Sequence, residues 1–306
     1  MDQKIREQKT GDQKTGFHYG HEVLNLYDEF AHGGITRREF VDRAAKFALG
    51  GLTAAALLET LCPNYALAEQ VARGDSRLES GYVDYASPKG TGKVHAYMSR
   101  PAKPGKWPGV IVGHEAGGLN PYVEDVARRL ALLNFIALAP DALSSVGGYP
   151  GDQEKGSQMQ SKLDRNLLTE DFGAGVTFLQ SHAQCTGKVG MVGFCFGGGI
   201  ACELAVRMPG TLTSAVSYYG RQPKTEDVAK IKAPLQIHFA EVDNAANPGW
   251  PAFEAALKAN KIEYTAYSYP GTHHGFHNDS TPARYNDEAA KLSWQRTVEF
   301  LNKTLR

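Results

Sequence analysis

From Ser76 onward, short apolar runs alternate with longer stretches whose apolar positions recur every three or four residues. Runs at 81–86, 93–99, 108–113, 135–139, 188–194, 214–219, 234–240 and 263–269 read as strands. Stretches at 121–133, 161–182, 197–208, 249–260 and 286–303 carry the helical period. This alternation predicts an α/β fold: a mostly parallel central sheet of about eight strands with helices on both faces. The first two strands are expected to form an antiparallel hairpin at one edge.

The first 74 residues break this rhythm. Residues 1–16 are polar and contain Gln-Lys-Thr-Gly twice, at 8–11 and 13–16, which reads as disorder. Residues 20–32 suit a short helix. Thr36-Arg37-Arg38-Glu39-Phe40-Val41 resembles a twin-arginine export signal, although Asp42 stands where lysine is usual. A mildly apolar stretch, Phe47 to Leu58, follows, then Ala66-Leu67-Ala68, a small-x-small cleavage pattern. Twelve apolar residues are too few to span a bilayer. The expectation is a leader at 1–74 that directs export to the periplasm, ahead of one α/β domain at 75–306. The competing expectation keeps the segment in a cytoplasmic protein, as an amphipathic helix packed on the domain or on a neighbouring subunit.

Composition narrows the function classes. The 33 basic and 33 acidic residues cancel, so no electrostatic footprint for nucleic acid is present. The apolar fraction of 42% is enough for a sizeable core. Four cysteines (Cys62, Cys185, Cys195, Cys202) do not make a disulfide framework, and Cys202, two helical turns beyond Cys195, reads as core. The expected partner is a small molecule, and no cofactor is called for.

The chemistry concentrates on one cysteine. Gly193-Phe194-Cys195-Phe196-Gly197 directly follows an apolar strand and precedes a helix rich in small residues. This is the spacing of a nucleophile elbow, in which a strained turn exposes the nucleophile and flanking side chains would collide with strand and helix. A buried structural thiol is the plain alternative for any cysteine. It loses ground here because an acid and a histidine follow in the order such enzymes use. Asp243 lies just past the strand at 234–240, where open parallel sheets gather catalytic groups, with Glu241 as a lesser candidate. Pro270-Gly271-Thr272-His273-His274-Gly275-Phe276-His277 reads as a loop carrying three histidines. A metal site there is disfavoured because no cysteine or carboxylate accompanies them at ligand spacing. His274 is the chosen base, leaving His273 and His277 as wall or surface residues.

These motifs, with Val112-Gly113-His114-Glu115-Ala116-Gly117-Gly118-Leu119-Asn120, Ala139-Pro140-Asp141 and His274-Gly275-Phe276, resemble the dienelactone hydrolase family, a branch of the alpha/beta-hydrolases with a Cys–His–Asp triad. The likeness runs in order through about residues 80–305. It implies hydrolysis of an ester or lactone through a thioester on Cys195, with the Phe196 and Ala116 N–H groups as oxyanion hole. It also implies that Glu115 holds or accepts the Cys195 proton. The two arginines by which family members grip a substrate carboxylate have no counterpart after Pro140-Asp141 or directly after His274; the first arginine after His274 is Arg284. Arg221 is the substitute candidate, and Tyr149, Trp250 and Phe276 are candidate pocket walls. Two other classes remain: a binding or scaffold protein on a hydrolase fold, and a thiol redox protein using Cys195.

Overall fold

The computed structural model describes residues 19–47, 53–67 and 69–306. The polar repeat at 1–16, residues 48–52 of the apolar stretch and Ala68 of the cleavage pattern lie outside the described residues.

Eight strands form one sheet: β1 (Leu78–Ser87), β2 (Gly92–Pro101), β3 (Trp107–Gly113), β4 (Ile136–Pro140), β5 (Cys185–Phe194), β6 (Ser214–Tyr218), β7 (Leu235–Val242) and β8 (Tyr264–His273). Their spatial order is β1-β2-β4-β3-β5-β6-β7-β8. β1 and β2 pair antiparallel as the expected edge hairpin, β2 also runs antiparallel to β4, and every pair from β4 to β8 is parallel.

Alternating side chains of the central strands feed two cores, one on each face. Ile111, Leu138, Met191, Ala215 and Ile237 point to the face covered by α6 (Arg165–Ser181), α7 (Phe196–Arg207) and α8 (Trp250–Ala259). Val110, Val112, Ala137, Val192 and Val216 point to the opposite face, under α4 (Pro121–Leu132) and α9 (Asp287–Leu305). Capping fixes where these helices start. Asn120 Oδ1 accepts from Val123 N at 3.1 Å, ahead of a proline in the first turn, and Asn286 Oδ1 accepts from Ala289 N at 3.0 Å.

Two expectations need correction. The helix expected at 161–182 is α6, which starts four residues later because Asp164 accepts from Asn166 N at 2.8 Å and caps it there. A separate α5 (Gln153–Gln160) precedes it, capped by Asp152. The strand expected to end at 269 continues to His273, because β7 shifts register between Ala240 and Val242 and pairs again at Val242 and His273. The histidine loop therefore begins at His274.

The N-terminal segment is ordered and helical in its described parts. α1 (His21–Ala31), α2 (Arg37–Ala44) and α3 (Ala54–Leu61) bury Tyr27, Phe30, Phe40, Leu58 and Leu61 in a third core of their own. The residues of the twin-arginine pattern begin α2. Thr36 Oγ1 accepts from Glu39 N at 3.2 Å while Glu39 Oε2 accepts from Thr36 N at 2.7 Å, a complete capping box. The segment is tied to the sheet domain by polar links. Arg284 pairs with Asp28 at 2.9 Å, Ser157 Oγ donates to the Ala31 carbonyl at 2.7 Å, and Asn64 N donates to the Ser280 carbonyl at 2.6 Å. Among the described residues, no helix is long and apolar enough to cross a membrane.

Candidate active site

The C-terminal ends of β3, β5, β6, β7 and β8 converge on Cys195. Its backbone sits at φ +52, ψ −109, a left-handed conformation that a non-glycine residue adopts at a cost of about 1–3 kcal/mol. The surrounding packing holds it there. Cys195 N donates to the Tyr218 carbonyl at 2.9 Å, and Gly197 N donates to the His114 carbonyl at 2.9 Å. Gly193 and Gly197 have no room for a side chain: a Cβ on Gly193 would press on Gly198 N at 2.7 Å, and one on Gly197 would press on Gly113 Cα at 2.6 Å.

Asp243 and His274 meet as the motif order anticipates. Asp243 Oδ2 lies 2.7 Å from His274 Nδ1, while Asp243 Oδ1 accepts from the N–H groups of Ala245 and Ala246, each at 2.9 Å. The fixed carboxylate leaves the ring one orientation. Burial raises the Asp243 pKa, but His274 and these backbone donors outweigh it, so the carboxyl stays below its usual range. Burial pulls His274 down, and Asp243 and the Cys195 charge more than offset it, leaving the ring well above an ordinary histidine. His274 Nε2 is buried and has no aligned hydrogen bond. Glu241 Oε2 instead accepts from Gly271 N at 2.7 Å on the surface, away from His274.

Glu115 lies in the same buried cluster, but its partners are Tyr219, whose hydroxyl donates to Oε1 at 3.1 Å, and Asn278, whose amide donates to Oε2 at 2.7 Å. Among the described hydrogen bonds none joins it to Cys195. Burial raises its pKa, only partly offset by Arg284. It is a neighbouring carboxyl of the sulfur, held in place by two donors.

The contact made by Sγ comes from elsewhere. His32, at the C-terminal end of α1, places Nε2 3.0 Å from Cys195 Sγ, and its ring meets His274 edge to face with centroids 4.7 Å apart. Burial pushes the Cys195 thiol up, but His32 and His274 pull it well below 9. The Cys195 sulfur and a ring nitrogen of each histidine lie within 4.8 Å of one another.

A cavity of about 330 Å³ opens onto the sulfur. Ala116 and Phe196 line it, and neither backbone N–H has an acceptor among the described residues, as an oxyanion site requires. Arg221 lines it too, joined by Arg165, whose Nε donates to Glu203 Oε1 at 2.8 Å. The other expected walls lie outside it. Trp250 opens α8 and packs on Phe239, Phe253 and Tyr264. Phe276 turns inward after Gly275 (φ +85) and packs on Tyr218, Tyr219 and Tyr269. Tyr149 is held through its N–H on Asp141 Oδ2 at 2.8 Å. Arg284 is committed to Asp28 and lies over the Tyr27 ring.

His273 pairs with His21 across 2.7 Å, and His277 is buried against the Tyr122 hydroxyl at 2.6 Å. All four cysteines are free, and Cys202 is a buried thiol pushed up to about 12 by burial, as a core residue would be. Sequence reasoning missed His32, Tyr219, Asn278 and Arg165. Only Tyr219 carried a signal: it directly follows β6, at the sheet edge where the other groups lie.

A parallel sheet with an elbow cysteine after β5, an acid after β7 and a histidine after β8 defines an alpha/beta-hydrolase. Residues 94–305 match the dienelactone hydrolase family, and the chain belongs to it; it is a carboxylic ester or lactone hydrolase. Residues 13–46 separately match the YqhI-like family. Over 114 residues the chain is 55% identical to the Escherichia coli (strain K12) protein named "Putative hydrolase fragment YghX", covering 37% of this chain and 97% of that one. It is 29% identical to the carboxymethylenebutenolidase of Pseudomonas sp. (strain P51), over 70% of this chain and 92% of the relative. The dienelactone hydrolase-like promiscuous phosphotriesterase P91 from metagenomic libraries superposes with a TM-score of 0.66 at 24% identity, over 76% of this chain and all of that one.

Proposed function

We propose that Cys195 is the nucleophile of this hydrolase and that it acts on activated esters or lactones, the class to which the Pseudomonas relative's name points. The observation that carries this reading is the sulfur's position: at a strained elbow, at the mouth of a cavity, beside a histidine fixed by a buried aspartate. The Cys195 thiolate attacks the carbonyl carbon, and the resulting oxyanion is met by the N–H groups of Phe196 and Ala116. The carbon–oxygen bond then breaks. The leaving oxygen takes a proton from the His274 imidazolium, and a thioester remains. Neutral His274, held by Asp243, next removes a proton from water; the hydroxide displaces the thiolate and releases the acid. Thiolate is itself a good leaving group. The first step therefore goes forward with enol esters and lactones, whose leaving oxygens are stabilised, and reverts with plain alkyl esters. Arg221 at the cavity rim supplies a cation for a substrate carboxylate.

Hydrolysis of p-nitrophenyl acetate by wild type, Cys195→Ala and His274→Ala is the test. A fall of about 10³-fold or more in kcat/KM is expected for each, as the loss of a nucleophile or its histidine costs in catalytic triads generally. Wild-type activity in either variant would refute the assignment.

A further inference from the structure

His32 reaches the nucleophile from a part of the chain outside the 94–305 family match. Its Nδ1 lies 2.6 Å from the Asp28 carbonyl oxygen. A carbonyl only accepts, so Nδ1 carries a proton. Nε2 then has two ways to face Sγ at 3.0 Å. A neutral ring accepts from the thiol, or an imidazolium donates to the thiolate. So short an approach to sulfur suits the charge-assisted form. The placement is well supported. Ser157 holds the Ala31 carbonyl next door, Arg284 holds Asp28 one turn back, and the helix is fixed by its own core. Residues 13–46, which include His32, match a family of their own.

We propose that His32 is a catalytic residue: the N-terminal segment stays in the working enzyme, and its imidazolium, together with His274, holds Cys195 as a thiolate before substrate arrives. This rests on Cys195 being the nucleophile. In the resting enzyme the Cys195 proton has passed to an imidazole, and the sulfur keeps the electron pair. When that pair forms the bond to the acyl carbon, the sulfur becomes neutral and His32 loses its counter-ion until the thioester is cleaved. The other groups around the sulfur are known. Asp243 stands behind His274; Glu115 and His114 come from the β3 loop, Tyr219 from the end of β6, and Asp28 from α1. Arg284 lies behind Glu115, with Arg165 and Arg221 at the cavity rim. Burial opposes a charged His32, but the Cys195 charge and hydrogen bond prevail and raise its pKa. Cleavage after Ala68 would remove His32, so this proposal commits to a retained segment and stands against export with cleavage.

The test reads thiolate directly. Full-length wild type, His32→Gln and His32→Ala are alkylated with iodoacetamide across pH 5–9, and the Cys195 peptide is quantified by mass spectrometry. Both variants should move the alkylation midpoint up by at least one pH unit, slowing the reaction about tenfold at pH 6, and the acid limb of kcat/KM should move with it. A merely structural role lowers activity or stability and leaves the midpoint where it was; that result overturns the proposal. A second measurement needs no variant. At pH 8, nitrogen-resolved NMR of wild type should show two imidazolium rings, both lost or shifted when Cys195 is capped, and fewer than two overturns the proposal. Full hydrolytic activity in Cys195→Ala would sink the hydrolytic assignment of Cys195, while the alkylation shift would still stand or fall by itself.

Discussion

Gly193→Ala isolates the geometry of the elbow. A Cβ there would lie 2.7 Å from Gly198 N, against 3.4 Å or more for ordinary contact, so the start of α7 must retreat by at least about 0.7 Å. The Gly197 carbonyl is closer still, and both obstacles are backbone, with no flexible side chain to swing aside. Overpacking of this kind costs roughly 1–3 kcal/mol. For a chain of this size that corresponds to a fall of roughly 2–12 °C in Tm. Activity should suffer more, because a displacement near 1 Å at a reacting centre costs about 10²-fold. Gly187→Ala is the control. Gly187 has φ +89 but open space around its Cβ position, so it carries backbone strain alone, about 1–2 kcal/mol, far from the sulfur. Differential scanning fluorimetry and p-nitrophenyl acetate kinetics on both variants separate the terms. If Gly193→Ala keeps wild-type kcat/KM and a Tm no lower than Gly187→Ala, the claim that the elbow is held by backbone collision is refuted.

Asp243→Asn keeps the shape but removes the charge that holds His274; kcat should fall about 10²–10⁴-fold with little change in KM, and an unchanged kcat would remove Asp243 from the triad. Acid stability should show the mark of His277, whose pKa is pushed down to about 3 by burial and by Arg129. Below pH 6.5 the unfolded chain takes up a proton that the folded one refuses. Stability from this group is therefore full above 6.5 and declines by about 1.4 kcal/mol per pH unit as pH falls toward 3. Guanidinium midpoints at pH 7.5 and 5.5 should differ less in His277→Phe than in wild type, and equal differences would show that His277 titrates normally in the fold.

Periodicity placed every strand of the sheet, because the inner strands, buried on both faces, leave apolar runs and the edge strands alternate. It missed α5, a mostly polar helix, and it started α6 four residues ahead of the Asp164 side chain that captures a backbone N–H and caps it. It also missed the end of β8, since a register shift in β7 leaves no mark in β8's own residues. The site divided in the same way. Cys195, Asp243 and His274 were legible because each follows its strand directly. Trp250 and Phe276 were misplaced, because proximity along the chain says nothing of which way a ring turns; α8 directs one onto Phe239 and the turn at Gly275 sends the other under the loop. His32 was invisible for a related reason. It lies 163 residues from Cys195, in a segment whose local pattern resembled a disposable leader.

The separate core of α1 to α3 has a thermal consequence. Its apolar residues pack chiefly on one another; among the described residues Ala283 of the sheet domain joins them, and the other links are polar contacts and a few ring contacts such as Arg284 over Tyr27 and His32 on His274. Such an arrangement behaves as its own cooperative unit, able to open below the temperature at which the sheet melts. On warming, amide protons of α1 should exchange before those of β5, and the Cys195 sulfur should lose the neighbouring His32 ring while the sheet is still intact. Heat would then part His32 from Cys195 before it unfolds the sheet, and cooling would restore the contact without a full refolding.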